Sequence, residues 1–166
     1  MGQIILVTGG VRSGKSAFAE RYAAHCATAG AQVAYIATAQ VYDTEMQQRV
    51  DLHQARRPAN WSTYEAPFFS ENAIREAGKS HGVILFDCIT MFLSNDMLQY
   101  PEDEQERDSF VLHVEERIGA LIHAAQEVEA TTIFVTNEVG AGIVPEHRLG
   151  RLYRDMAGLA NQQIAR

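Results

Sequence analysis

A glycine-rich turn between an apolar run and a helical pattern constrains this chain more than any other feature. The apolar run begins at Ile4, and residues 9–16 have the spacing Gly-x-x-x-x-Gly-Lys-Ser. This spacing is the P-loop pattern, in which glycines let successive backbone amides approach a phosphate closely. The helix that follows adds its unpaired N–H groups and the positive end of its dipole. The sequence therefore predicts that a nucleotide phosphate binds at residues 9–16.

Every residue of this loop is predicted to contact nucleotide, and two have distinct roles. Lys15 is expected to reach the β- and γ-phosphates, and the Ser16 hydroxyl is expected to bind Mg²⁺. Lys15 is one of only two lysines in the chain, so the match does not come from a lysine-rich surface. The alternative is a chance match, which the flanking strand and helix patterns argue against. The predicted contacts are Gly9, Gly10, Val11, Arg12, Ser13, Gly14, Lys15 and Ser16.

Composition excludes several classes of function. The 166 residues suit one domain, predicted to be a single P-loop nucleotide-binding domain over residues 1–166. A formal net charge of −7 argues against general affinity for nucleic acid or anionic membranes, so an anionic ligand needs a local positive site. No apolar run is long enough to span a membrane, and the N-terminus lacks a signal-peptide pattern. The two cysteines, Cys26 and Cys88, fit neither a disulfide framework nor a zinc site, which predicts a cytoplasmic setting.

Strand and helix patterns alternate along the chain. This alternation predicts an α/β, three-layer P-loop NTPase-like fold with a mostly parallel sheet and helices on both faces. A capping box is expected at residues 44–47, Thr-Glu-Met-Gln. Strands are predicted from Ile4 and over residues 33–37, 61–65, 83–87 and 131–136, and helices over 16–29, 43–57, 68–79, 102–129 and 146–165.

A histidine among arginines follows the second predicted strand. Met46, Val50, His53 and Arg57 are spaced 4, 3 and 4 residues apart, so they share one helix face. Arg49, Arg56 and Arg57 form the densest local positive charge in this acidic chain, and they suit binding to phosphates. One interpretation makes His53 a nucleophile at that site. The other makes it a packed or solvent-facing side chain, which is the commoner state of a lone histidine.

Two acids at strand ends are candidates for holding a metal ion. Asp87 ends an apolar strand, the position where P-loop proteins hold an acid linked to Mg²⁺. Its alternative role is that of a helix N-cap or a loop carboxylate. Glu138 also follows an apolar strand, but its glycine-rich surroundings are equally typical of a tight structural turn. Ser16 and Asp87 are therefore the predicted metal residues.

An ordered set of motifs spans nearly the whole chain. Beyond the P-loop, the runs are Tyr-Ile-Ala-Thr-Ala at 35–39, Asp-Thr-Glu-Met at 43–46 with Arg49, His53 and Arg57, and Trp-x-Thr-x-Glu at 61–65. Then come Asp-Cys-Ile-Thr at 87–90, Asn95, Thr-Asn-Glu-Val-Gly-x-Gly-Ile-Val-Pro at 136–145, Arg-Asp-x-x-Gly at 154–158 and Asn-Gln at 161–162. Together these resemble the bifunctional adenosylcobinamide kinase/adenosylcobinamide-phosphate guanylyltransferase family of cobalamin assembly.

The resemblance implies two activities at one site. The aminopropanol hydroxyl of adenosylcobinamide is phosphorylated with ATP or GTP, and GMP then passes from GTP through a guanylylated histidine to the cobinamide phosphate. His53 matches that histidine, and Leu52 leaves no adjacent second candidate. The resemblance also implies Mg²⁺, a homotrimer and a further strand after the last helix, whereas this sequence stops at Arg166. The implied nucleotide contacts outside the P-loop are Thr38, Ala39, Gln40, Gln54, Ala55, Arg56, Arg57, Glu65 and Asp87.

Two other functions stay open at this point. One is a P-loop kinase or NTPase without a covalent intermediate, in which His53 is structural. The other is a nucleotide-binding module that turns nothing over.

Overall fold

The computed structural model describes residues 2–27, 30–100 and 107–166, which form five strands and six helices that alternate except where α5 follows α4. The strands are β1 (Ile4–Gly9), β2 (Val33–Ala37), β3 (Ser62–Glu65), β4 (Val83–Asp87) and β5 (Thr131–Asn137). The helices are α1 (Lys15–Cys26), α2 (Thr44–Ala55), α3 (Ser70–Ala77), α4 (Ile89–Gln99), α5 (Arg107–Glu127) and α6 (Arg148–Ile164).

All four strand pairings of the sheet are parallel, in the order β1-β5-β4-β2-β3. Because strands buried on both faces need not alternate in polarity, β2 and β4 are nearly continuous apolar runs. One face packs against α1 through Ala19 and Ala23, and the opposite face carries α3 to α6. The predicted α/β, three-layer fold with helices on both faces is confirmed.

Helix α4 was not predicted, and its sequence explains why. Six of its eleven residues are buried, on several sides, so the segment lacks the two-faced pattern by which a surface helix is recognised. Its N-cap is Cys88, whose Sγ accepts a hydrogen bond from the backbone N–H of Met91 at 3.4 Å. The predicted alternative that Asp87 caps a helix is therefore wrong.

Small residues of α1 face the sheet. Ala19 and Ala23 are fully buried, whereas Phe18 is half exposed and stacks on Tyr22. Small residues allow the helix backbone to approach the strands closely.

Helix α2 is capped by Asp43, whose Oδ1 accepts from the backbone N–H of Met46 at 2.7 Å. The capping box placed at 44–47 was thus wrong by one residue.

Parts of some predicted elements fall outside the described residues. These parts are the end of the first predicted helix, residues 28 and 29, and the acidic first turn of the helix predicted from residue 102. The side chain of Arg49 is likewise outside the description. Within the described part of the chain, no helix combines the length and apolarity needed to cross a bilayer.

Candidate active site

The strand registers bring the predicted site residues to one edge of the sheet. A single row across the sheet contains Val7, Val135, Asp87, Ala37 and Glu65. Strands β4, β2 and β3 end at this row, and β1 and β5 end two residues later, so all five carboxyl ends lie at this edge. Since ligands of open α/β sheets bind outside these ends, the P-loop, Thr38, Asp87 and Glu65 lie at the edge where a ligand is expected.

The P-loop backbone bends sharply into α1. Gly14 is the N-cap of α1 with φ +84°, a conformation that favours glycine. A Cβ on Gly9 would meet Ser13 Oγ at 2.7 Å, so the turn is tight at its start as well. Lys15 Nζ donates to the Gly10 carbonyl at 3.3 Å, which folds the lysine back over the loop. The loop has the form expected of a phosphate cradle.

The loop after β5 lies beside the P-loop. The backbone N–H of Glu138 donates to the Gly9 carbonyl at 2.9 Å, extending the β1–β5 pairing. The Glu138 side chain turns back on its own loop, where Oε1 accepts from the N–H groups of Gly140 and Ala141. These contacts favour the structural-turn interpretation of Glu138 over the metal-binding one.

Asp87 is held by the second strand. Tyr35 Oη donates to Asp87 Oδ2 at 2.8 Å, and the Arg57 guanidinium carbon lies 3.5 Å from the Tyr35 ring centroid. Burial raises the pKa of Tyr35, and the negative charge of Asp87 raises it further. The phenol therefore stays protonated and remains a donor to the carboxylate. This chain of contacts joins α2 to the end of β4.

The residues proposed for Mg²⁺ fit its chemistry. A magnesium ion bound with nucleotide needs only one or two protein oxygens, because phosphates and waters complete its shell. Asp87 supplies a carboxylate with one oxygen already oriented by Tyr35, and Ser16 supplies a hydroxyl in the first turn of α1. Among the described residues no cluster of three or more His, Cys, Asp or Glu side chains could hold a metal by itself. These residues therefore suit a magnesium site that is completed by the phosphates of a bound nucleotide.

Thr38 is fully buried and joins the ends of β2 and β4. Its Oγ1 donates to the Cys88 carbonyl and accepts from the Cys88 N–H, both at 2.8 Å. Its own carbonyl accepts from Asn95 Nδ2 at 2.7 Å. Thr38 was predicted to contact nucleotide. That contact stays a prediction, and in this structure the Thr38 side chain fixes the position of the residues that follow Asp87.

His53 meets two charged side chains of opposite sign. Its Nδ1 lies 3.0 Å from Arg56 Nη2 and 3.7 Å from Glu20 Oε1, a residue of α1. Arg56 Nη2 lies 3.8 Å from the same Glu20 oxygen. The predicted shared face is confirmed: Met46, Val50 and His53 are half-buried on α2 whereas their described neighbours are exposed, and Arg57, just after the C-cap, is half-buried too.

A cavity of about 590 Å³ opens beside the end of α2. Three of its lining residues, Gln54, Arg57 and Glu65, were predicted to contact nucleotide. Arg57 Nη1 donates to Thr63 Oγ1 at 3.1 Å, which holds the guanidinium at the cavity wall. The volume lies within the range of about 300–1,000 Å³ that small-molecule sites occupy. The remaining lining residues are Pro58, Ala59, Trp61 and Thr63.

For the remaining predicted contacts outside the P-loop, the structure shows no side-chain partner among its described residues that defines a role. Ala39 and Gln40 follow Thr38 and are half-buried, and Ala55 is exposed at the last residue of α2. Three residues of the site were not predicted to belong to it: Glu20, Tyr35 and Trp61. The motifs around Tyr35 and Trp61 were a usable signal, but Glu20 had none, since a single acid on a surface-type helix is ordinary.

A P-loop at the carboxyl edge of a parallel sheet, followed by a helix that begins at its lysine, defines a nucleotide-binding α/β protein of the P-loop class. The comparisons narrow this class. The sequence profile of CobU, described as cobinamide kinase / cobinamide phosphate guanyltransferase, matches residues 5–166. The chain belongs to this family.

Named relatives agree with the profile. A bifunctional adenosylcobalamin biosynthesis protein, CobU of Escherichia coli, is 40% identical over 166 residues, covering 98% of this chain and 90% of that protein. CobU of Salmonella typhimurium is 41% identical with the same coverage. CobP of Pseudomonas aeruginosa, also named as bifunctional, is 42% identical over 160 residues, or 96% and 86% of the two chains.

Among solved structures, a KaiC-like protein from Pyrococcus horikoshii matches with a TM-score of 0.49 and 16% identity. The match covers 94% of this chain and 68% of that one.

Proposed function

We propose that this chain phosphorylates the aminopropanol hydroxyl of adenosylcobinamide with ATP or GTP, and then transfers GMP from GTP to the adenosylcobinamide phosphate. The observation that carries the proposal is the arrangement of a P-loop and of His53, flanked by Arg56 and Glu20, on the same side of the sheet edge. Membership of the CobU family supports both activities.

The first step needs positioning and charge neutralisation more than proton transfer. The P-loop amides and Lys15 hold the β- and γ-phosphates, and the substrate hydroxyl attacks the γ-phosphorus. The bond from that phosphorus to the bridging oxygen breaks, nucleoside diphosphate leaves, and the hydroxyl proton is released to water. Ser16 and Asp87 would hold Mg²⁺, which when bound would neutralise charge on the phosphates.

The second step proceeds through His53. Nε2 forms a bond to the α-phosphorus of GTP while the bond to the bridging oxygen breaks, and pyrophosphate leaves. A phosphate oxygen of adenosylcobinamide phosphate then attacks the same phosphorus and displaces the imidazole. A covalent intermediate of this kind lets two bulky substrates use one site in turn. Lys15 and Arg56 stabilise the departing pyrophosphate.

The cavity at the end of α2 supports a site for the guanine base. A carboxylate accepts hydrogen bonds from the N1–H and the exocyclic amino group of guanine together, whereas adenine offers no matching pair. Glu65 lines the cavity with its carboxylate exposed, and Trp61 adds an aromatic surface on which a base can stack. We assign guanine recognition in the second step to Glu65.

The proposal also includes a setting and an assembly. Both cysteines are free thiols, as expected of a protein that works in the reducing cytoplasm. The family resemblance implies a homotrimer. Light scattering after size-exclusion chromatography measures the molar mass directly, and a monomer mass at working concentration would remove the trimer from the proposal.

A labelling experiment tests the covalent step. The protein is incubated with GTP labelled at the α-phosphate and quenched, and protein-bound label is measured before and after mild acid. Acid-labile, alkali-stable label is expected on the wild type and absent from His53→Ala. His123→Ala is the matched control, since His123 is an exposed histidine of α5.

Each outcome selects one function. Phosphorylation of cobinamide without protein-bound label would leave a kinase or NTPase in which His53 is structural. Label that survives His53→Ala would move the nucleophile to another residue. If no nucleotide is turned over, with or without cobinamide, the chain is a nucleotide-binding module without catalytic activity.

A further inference from the structure

We propose that Glu20 is a positioning residue for the guanylyl-transfer step, selecting the form of His53 in which Nε2 is the nucleophile. This inference rests on the proposed role of His53. It concerns one carboxylate of α1 that neither the P-loop pattern nor the family description assigns.

Glu20 presents an oxygen that lacks a donor. Oε1 is buried, and no hydrogen-bond partner reaches it within the described residues. Buried carboxylate oxygens are nearly always satisfied, because an unpaired one loses its hydration without a replacement. Two side-chain nitrogens lie within 4 Å of it, His53 Nδ1 at 3.7 Å and Arg56 Nη2 at 3.8 Å. Both distances exceed a hydrogen bond by about 0.5 Å or more, so a small side-chain shift completes either contact.

Nδ1 of His53 has two neighbours with opposite requirements. A guanidinium has only donors, so the 3.0 Å contact from Arg56 makes Nδ1 an acceptor and puts the ring proton on Nε2. An imidazole protonated on Nε2 has no lone pair there for attack. A carboxylate only accepts, so contact with Glu20 keeps the proton on Nδ1 and leaves Nε2 with its lone pair.

The nucleotide decides between these two states. Arg56 is a predicted phosphate ligand, and a triphosphate is a stronger partner for a guanidinium than a neutral imidazole is. When Arg56 turns to the phosphates, Nδ1 loses its donor and Glu20 becomes its partner. The reactive form of His53 is then populated only when nucleotide is bound, which limits adventitious reaction of the free enzyme.

Glu20 also acts after the bond forms. Attack by neutral imidazole through Nε2 leaves a positive charge on the guanylylated ring, with the proton still on Nδ1. The carboxylate of Glu20 compensates this charge in a partly buried position, where its side chain is 14% exposed and screening by water is reduced. The proton stays on Nδ1 both when the bond to phosphorus forms and when it breaks. The imidazole therefore departs as a neutral group.

The experiment compares the two half-reactions in one set of variants. Glu20→Gln keeps the shape and removes the charge, Glu20→Asp keeps the charge on a shorter arm, and Asp51→Asn is the control. Asp51 is an exposed acid of α2, two residues before His53, with its own partner Gln47. The rate of protein labelling from α-labelled GTP is measured beside the rate of cobinamide phosphorylation with ATP.

Glu20→Gln is expected to slow labelling at least tenfold while kcat and KM of phosphorylation change by less than about twofold. Asp51→Asn is expected to leave both rates unchanged, and Glu20→Asp to recover part of the labelling rate. A parallel loss of both activities would make Glu20 a structural support of α1 and overturn the inference. Unchanged labelling in Glu20→Gln would overturn it too, with the proposed function intact.

A spectroscopic measurement separates selection of the ring form from other effects. Nitrogen-15 shifts of the His53 ring are recorded with and without α,β-methylene GTP, a non-transferable analogue. The proton is expected on Nε2 in the free protein and on Nδ1 in the complex, and the change is expected to be lost in Glu20→Gln. A ring form that does not respond to the analogue in wild type would refute the selection mechanism. Absence of label in wild type would instead refute the proposed function.

Discussion

The Arg57 guanidinium carbon lies 3.5 Å from the centre of the Tyr35 ring, and the phenol of Tyr35 donates to Asp87. These two contacts run from the end of α2, through the second strand, to the acid at the end of β4. The wall of the candidate base cavity and the proposed metal acid are therefore mechanically connected. A substitution at Arg57 is therefore expected to alter the position of the Asp87 carboxylate, and the reverse.

Replacing Arg57 by lysine is expected to raise the KM for GTP in the labelling reaction. Lysine keeps the charge but loses the planar group that lies over Tyr35 and the donor to Thr63. The lost cation–π contact contributes about 0.5–2 kcal/mol. Steady-state kinetics over a range of GTP concentrations measures the effect, and Arg75→Lys, on α3, serves as the control. An unchanged KM would mean that the stacked arginine does not shape the nucleotide site.

Replacing Tyr35 by phenylalanine is expected to weaken the use of Mg²⁺. The variant removes the hydroxyl that orients Asp87 Oδ2 and leaves the ring under Arg57 in place. Loss of a residue that orients a metal ligand commonly costs about tenfold or more in metal affinity. The Mg²⁺ concentration for half-maximal phosphorylation is the measurement. If that concentration is the same in the variant and in wild type, Asp87 does not hold the ion through this oriented oxygen.

Replacing Thr38 by valine is expected to destabilise the fold. Valine is similar in size, but it leaves the N–H of Cys88 without the buried partner that Oγ1 provides, while the Cys88 carbonyl keeps only the N–H of Phe92. Leaving buried polar groups unpaired costs about 1–3 kcal/mol. Urea denaturation gives the free energy of unfolding, with Thr63→Val, at an exposed position of β3, as the control. Equal stability of the two variants would contradict the bridging role of Thr38.

Replacing Glu65 by glutamine is expected to reduce discrimination between GTP and ATP in protein labelling. The amide accepts through one oxygen only, so it no longer matches the paired donors of guanine. Losing the better fit to guanine lowers the preference by roughly 1–3 kcal/mol, or about fivefold or more. Labelling rates with the two α-labelled nucleotides are compared. A preference that survives intact would assign base recognition to another group.

Cys88 is expected to resist alkylation while Cys26 reacts. Burial, followed by the negative charge of Asp87, raises the pKa of Cys88 to about 11. Since the thiolate is the reactive form, only about one Cys88 in a thousand is reactive at pH 8 in the folded protein. Iodoacetamide treatment and mass spectrometry of the peptides give the extent at each site. Because the folded pKa lies above the unfolded value, this thiol also stabilises the fold below about pH 9 and ceases to do so as pH rises toward 11.

The sequence predicted well where short-range patterns coincide with structure. The P-loop spacing, the continuous apolar strands and the shared face of α2 depend on residues close together in the chain, and their periods follow from helix and strand geometry. Helix α4 was not predicted because it is buried on several sides, and a helix buried in this way lacks the polar face by which a surface helix is recognised. The capping box failed by one residue because Asp43 and Thr44 are both good N-caps, and only the chain's path between β2 and α2 decides between them.

By itself, the sequence determined the fold class and the chemical inventory of the site: a phosphate loop, a histidine among arginines and acids at strand ends. The tertiary structure alone decided their partners. Strand order set Asp87 and Glu65 on either side of Ala37, and packing of α1 beside α2 brought Glu20 to His53 across 33 positions of the sequence. Such contacts are fixed by how elements pack in three dimensions, and no local pattern encodes the distance between two helices.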